Sequence, residues 1–174
     1  GRKRRQYKAW NDATGKESLT LSEAQRRLSE QQRALIPAAA RGEDRVFQTV
    51  SGDGSCFFHC ARKVLEVSEA ELRRVAECPW GWADEPHILR VARHYRVSFH
   101  FWPVELDAWE LGVQVHSARR LGPRRGTGCN IIHWTRGGAG LHFDYLGPVG
   151  QADGAAARRR SDSPPASSEP IPPS

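Results

Sequence analysis

Short runs in which apolar and polar residues alternate recur along the chain, and a period of two is the mark of a half-buried strand. Val97-Ser98-Phe99-His100-Phe101-Trp102, Cys129-Asn130-Ile131-Ile132-His133-Trp134 and Leu141-His142-Phe143-Asp144-Tyr145 are the longer runs. Val46-Phe47-Gln48-Thr49-Val50 is an earlier one and Val113-Gln114-Val115-His116 a shorter one. In the last long run, Leu141, Phe143 and Tyr145 are expected to anchor one face in the core and leave His142 and Asp144 together on the other.

Helical signals fill the spaces between. Ser22, with Gln25 three residues on, reads as a capping box that opens a helix running until Pro37 stops it. Its apolar content is thin, Ala24, Leu28 and Leu35, so it reads as an exposed helix laid on the domain or as a substrate-contacting arm. Gly52-Asp53-Gly54-Ser55 is turn chemistry, and Cys56 through Leu65 after it reads as a partly buried helix. Ser68 with Glu71 caps another. Asp84 caps a third, with Glu85 and Pro86 in its first turn and Ile88, Val91, Ala92 and Tyr95 on one face. The fold class this implies is α+β, a small mixed sheet flanked by helices.

A chain of 174 residues suits one domain with tails. Residues 1–20 form a basic, polar N-terminal segment, 21–148 the domain, and 149–174 a Pro/Ser-rich linker too poor in apolar residues to offset its ordering entropy. Of the formal charge of +6, most is carried by Arg2, Lys3, Arg4, Arg5 and Lys8, so the basicity belongs to the N-terminal tail. That tail reads as a solvated linker end, or as a weak nucleic-acid contact or nuclear-localisation signal. The chain begins with Gly1 and holds no Met, which reads as a piece of a precursor or of a multidomain parent. The 4 cysteines are irregularly spaced and no run of some 18 apolar residues is present, so reduced thiols in an intracellular compartment and no membrane span are expected.

Two segments carry chemistry. Cys56 falls in the first turn of its helix, where unpaired amides favour sulfur in its anionic form, and a nucleophilic thiol needs such help or a neighbouring base. The same turn can aim the backbone amides of Asp53 and Cys56 at one point, forming an oxyanion hole. His142 and Asp144, at i and i+2 on a strand, lie roughly 6.5 to 7 Å apart along the backbone. The carboxylate can then hold the imidazole in one tautomer while the other ring nitrogen meets the thiol. Cys56 and His142 are 86 residues apart in sequence, which folding can close.

Asp53-Gly54-Ser55-Cys56 before a helix and His142-Phe143-Asp144 on a late strand resemble the motifs of the ovarian-tumour (OTU) family of deubiquitinating cysteine proteases. Trp82 through Tyr95, followed by Val97-Ser98-Phe99-His100-Phe101, resembles that family's tryptophan-led helix and core strand. The resemblance runs from about Val46 to Leu146 and has the flavour of a minimal viral or mobile-element OTU-like domain. It implies Cys56 as nucleophile, His142 as general base and then acid, Asp144 as orienter, and Asp53 as a backbone contributor to the oxyanion hole. It also implies ubiquitin or ubiquitin-like proteins as partners, the chain's own polyprotein as a second substrate, and no cofactor.

Competing assignments are plain. Cys60, Cys78 and Cys129 read as small buried hydrophobes. A zinc site from Cys56, His59, Cys60 and Cys78 lacks any Cys-x-x-Cys pair. His133 competes with His142 for the role of base but has no carboxylate two residues on. Trp80, Trp82, Trp102 and Trp109 read as packing anchors before substrate platforms. Gly137-Gly138-Ala139-Gly140 reads as a flexible hairpin turn that lets His142 settle when substrate binds. A fold retained for binding without turnover remains the third class of function, beside an isopeptidase and a polyprotein endopeptidase.

Overall fold

The structure, a computed structural model, describes residues 19–36, 40, 45–108 and 118–148. The basic N-terminal cluster, Trp109, the short run at Val113–His116 and the Pro/Ser-rich tail lie outside the described residues. A mixed sheet has strands β1 (Arg45–Gln48), β2 (Val97–Glu105), β3 (Arg119–Leu121), β4 (Thr127–Arg136) and β5 (Ala139–Pro148), in the order β1-β5-β4-β2-β3. β2 and β4 run parallel and the other pairs are antiparallel. Helices α1 (Leu21–Glu30), α2 (Gln32–Leu35), α3 (Cys56–Arg62), α4 (Glu69–Ala76) and α5 (Glu85–Tyr95) complete the α+β architecture that the patterning predicts.

Apolar side chains on alternate strand positions feed two cores. One holds Phe57, Phe58, Leu72, Ile88, Val91, Phe99, Ile131, Phe143 and Tyr145, so α3, α4 and α5 cover that face. The other holds Ala24, Leu28, Phe47, Ile132, Trp134 and Leu146, so α1 and β1 belong to the opposite one. Because β5 lies between β1 and β4 with helices on both sides, it is buried from His142 to Leu146, while Leu141 is 39% exposed. This corrects the expectation of a half-buried strand with Leu141 in the core: the face that bears His142 and Asp144 is covered as well.

The ends of the elements follow local chemistry. Ser68 caps α4 as predicted, its oxygen accepting from the Glu71 amide at 3.1 Å. The cap of α1 is Thr20, not Ser22; Thr20 accepts from the Glu23 amide at 3.1 Å and its hydroxyl donates to the Glu23 carboxylate. The predicted single helix is broken at Gln31, and Gln32 uses its side-chain oxygen to accept from the Phe47 amide of β1 at 2.8 Å. Pro103 lies in β2 beyond the stretch paired with β3, which begins opposite Phe101, so among the described residues no strand pairs with that edge at Pro103. Gly137 and Gly138, both at positive φ, make the two-residue turn that joins β4 to β5 in a hairpin.

Gly122 sits at φ +114, and a Cβ there would lie 2.3 Å from the Val97 carbonyl oxygen. Gly122→Ala is therefore expected to destabilise the domain by roughly 2–4 kcal/mol through backbone strain and overlap. Urea unfolding measures this, and an unchanged midpoint would show that the loop moves aside freely.

Candidate active site

The register of the sheet explains how residues 86 apart in sequence meet. β1 pairs with β5 only from Tyr145 to Pro148, and after Gln48 the chain leaves the ladder. The Val50 amide, instead of pairing with the backbone of β5, donates to Asp144 Oδ1 at 2.9 Å. The Gly52–Ser55 turn follows and brings Cys56, the first residue of α3, against the open end of β5 where His142 stands.

Asp144 is completely buried and its carboxylate accepts four hydrogen bonds. Oδ1 takes one from the Val50 amide and one from His142 Nε2 at 2.6 Å; Oδ2 takes one from Gln25 Nε2 at 2.6 Å and one from Trp134 Nε1 at 2.9 Å. A carboxylate so surrounded by donors fixes the tautomer of the ring it faces: Nε2 carries its proton toward Asp144, and Nδ1 is the nitrogen left for the thiol. The Cys56 thiol lies close enough to the His142 ring to act on its charge. Burial alone would push the ring toward neutrality, but the bond to Asp144 and the nearby Cys56 outweigh it and raise its pKa to about 9. The structure thus brings together Cys56, His142 and Asp144. It also adds Gln25, Trp134 and Val50, which pattern reading did not single out for this site.

A second polar cluster secures the Gly52–Ser55 turn. Arg73 of α4, 13% exposed, donates Nε to Glu69 Oε2 at 2.8 Å, Nη1 to the carbonyls of Cys78 at 3.0 Å and Gly81 at 3.1 Å, and Nη2 to Ser55 Oγ at 2.9 Å. Its guanidinium also lies 4.3 Å above the Phe58 ring. Ser55 Oγ donates in turn to Glu69 Oε2 at 2.6 Å. Partial burial opposes charge on Glu69, yet the bonds from Ser55 and Arg73 hold its carboxyl below the ordinary value. The Ser55 side chain, thus engaged, makes no cap bond to α3. Asp53 is exposed; its Oδ1 accepts from the Ser55 amide at 2.9 Å, the main cause of its lowered pKa, and also meets His59 Nε2 at 3.2 Å.

The other candidates fall elsewhere. His133 packs against Phe143 and Phe101, and burial lowers its pKa to about 4, so at neutral pH it is an uncharged wedge. Cys60, Cys78 and Cys129 are buried free thiols, with Cys60 and Cys129 raised by desolvation. Trp82 stacks on Phe143 with centroids 4.9 Å apart, Trp102 donates to Asn130 Oδ1, and Trp80 is 82% exposed. Cys56 itself is closed off, at 1% exposure, and His142 is at 2%.

No family model matches this chain, and no curated protein matches it. Solved structures similar to it are OTU domains. The viral OTU domain protease of Qalyub virus is 20% identical, with a TM-score of 0.45 over 61% of this chain and 85% of that one. The Hazara virus OTU, solved bound to ubiquitin, is 18% identical, with a TM-score of 0.46 over 62% of this chain and 84% of that one. The OTU domain of OTUD1 is 15% identical, with a TM-score of 0.49 over 69% and 95%. These are likenesses of shape at low identity, and the chemistry of this chain has to be argued from its own side chains.

Arg73→Ala removes the hydrogen bonds that a nearly buried guanidinium makes to Glu69, Ser55 and the Cys78 and Gly81 carbonyls, and leaves Glu69 with only the Ser55 hydroxyl as donor. It is expected to lower stability by roughly 2–4 kcal/mol, with Arg73→Lys restoring only part because an ammonium cannot span all four acceptors. Denaturant melts of the three proteins test this; equal stability of the Lys variant and the unmutated chain would show that geometry at this point is irrelevant.

Proposed function

We propose that this chain is a thiol hydrolase that releases ubiquitin or a ubiquitin-like protein from an isopeptide or peptide bond. The observation that carries this reading is Cys56 placed beside the His142 ring, whose Nε2 meets a four-fold-held Asp144 at 2.6 Å. The proton shared by the pair already sits on the His142 ring, so the sulfur attacks as the anion at the carbonyl carbon after the modifier's last residue. The oxygen that gains negative charge is received by the backbone amides of Asp53 and Cys56. The intermediate collapses to a thioester as His142 returns its proton to the departing amine. Water, deprotonated by His142, then attacks the thioester, frees the carboxylic acid and restores the thiol. The likeness to OTU domains, one of them solved with ubiquitin, is in keeping with this substrate class.

The burial of Cys56 favours a second reading, a binding module that keeps the arrangement without turnover. A panel of electrophilic probes built on the C-termini of ubiquitin and ubiquitin-like proteins separates the two. Labelling of the unmutated chain and none of Cys56→Ala is expected; a chain that no probe labels would leave only the binding module.

The His142 pKa, raised to about 9 from an ordinary 6.5, sets the alkaline side of the rate. The ring holds its proton at neutral pH, so probe labelling and turnover should persist through neutrality and fall as pH rises through about 9. By the same sign, the stability contributed by the charged ring is whole below its ordinary 6.5 and lost as pH climbs through the raised value. A rate that climbs steadily past that point would mean that the uncharged ring is the working form.

A further inference from the structure

We propose that Gln25 is a positioning residue of the hydrolase site, acting from helix α1 on the Asp144 carboxylate and through it on the His142 ring. The inference rests on the hydrolase reading and extends it to a residue, and a helix, outside the segments that supply the thiol and the imidazole. Gln25 Nε2 donates to Asp144 Oδ2 at 2.6 Å, across 119 residues of sequence. A carboxylate whose first oxygen alone is held can still turn about its own bond; with Oδ2 held by Gln25 and Trp134, the plane is fixed and Oδ1 stays on His142. The neighbouring polar residues of α1, Ser22, Glu23, Arg26, Arg27, Ser29 and Glu30, are exposed, whereas Gln25 is half-buried and turned inward.

The helix does not depend on Gln25 for its seat. Ala24 and Leu28 are fully buried in the core that includes Trp134, Thr20 caps the helix, and Arg136 donates to the Leu19 carbonyl just before it. A substitution at Gln25 therefore leaves α1 docked and removes a single donor. The titratable groups that face the pair are Cys56, beside His142, and Cys60, which senses the Asp144 charge; both belong to α3. Gln25 and Trp134 are themselves neutral, and the arginines of α1, Arg26 and Arg27, are exposed.

The experiment compares the unmutated chain with Gln25→Ala and Gln25→Glu. It records kcat and KM on a fluorogenic ubiquitin C-terminal substrate against pH, the thermal midpoint, and the His142 ring titration by NMR. Gln25→Ala is expected to lower kcat about 10-fold with KM changed less than about twofold, as loss of an orienting group does. Gln25→Glu should approach the unmutated rate at acid pH, where the protonated side chain donates the same hydrogen bond, and fall away as pH rises and two carboxylates confront each other. Unchanged kcat in both variants overturns the inference, as does a loss that only tracks the unfolded fraction. If the unmutated chain turns over nothing, the hydrolase reading fails by itself and the NMR titration decides this one: a His142 pKa moved by Gln25→Glu upholds the coupling, and one that stays put ends it.

Discussion

A single carboxylate, that of Asp144, is the point on which four separated segments of the chain converge. It sits completely out of solvent and is met by donors from α1, from the exit of β1, from β4 and from its own strand. A buried charge without partners costs several kcal/mol, so each donor is held to its place by the penalty of withdrawing it. That constraint sets more than the imidazole. It pulls the backbone at Val50 out of the ladder with β5, and this departure directs the following turn, and with it Cys56, toward His142. Cys56 and His142 thus owe their meeting to the same buried group.

The Cys56 side is held by a different device. Arg73 ties α4, the Ser55 hydroxyl and the carbonyls of Cys78 and Gly81 into one cluster, with its charge over Phe58. Between this cluster and the Asp144 cluster lies the aromatic packing of Phe57, Phe99 and Phe143, whose rings stand edge to face at 5.1 and 6.3 Å from Phe57. The separation of sulfur and imidazole is therefore set by two polar anchors with a close-packed apolar spacer between them. Such a spacer resists small displacements, because a shift of one ring obliges its neighbours to move.

Much of this arrangement could be read from the chain before folding. The alternation at 97–102 and 129–134, the caps at Ser68 and Asp84, and the pairing of a glycine-flanked cysteine with a His-x-Asp strand all reflect local chemistry, and local chemistry is written in neighbouring residues. Most of the misses share one cause. Ser22 and Gln25 have the spacing of a capping box, but Thr20 takes the cap and leaves Gln25 free to turn inward toward a carboxylate 119 residues away. Trp134 looks like any core aromatic until its indole N–H finds Asp144. Arg73 is one arginine in a chain rich in them, and nothing beside it in sequence marks it as the one facing Ser55. Leu141 follows the strand alternation and still lies exposed, because it precedes the stretch of β5 that both helical layers cover. The contacts of Gln25, Trp134 and Arg73 join distant segments, which periodicity does not encode.

The closed thiol is explained by the same two anchors. If Cys56 attacks a substrate, something must move to admit it, and the anchors decide what does not. His142 and Asp144 are fixed by four donors, and the 78–81 carbonyls are fastened to Arg73. Next to Cys56 in the chain, Ser51–Gly54 is exposed throughout, with two glycines and no atom within 4 Å of the place where a side chain on Gly52 would be. A segment with so few contacts opens at small cost in free energy, since little burial is lost and glycine adopts many backbone conformations readily.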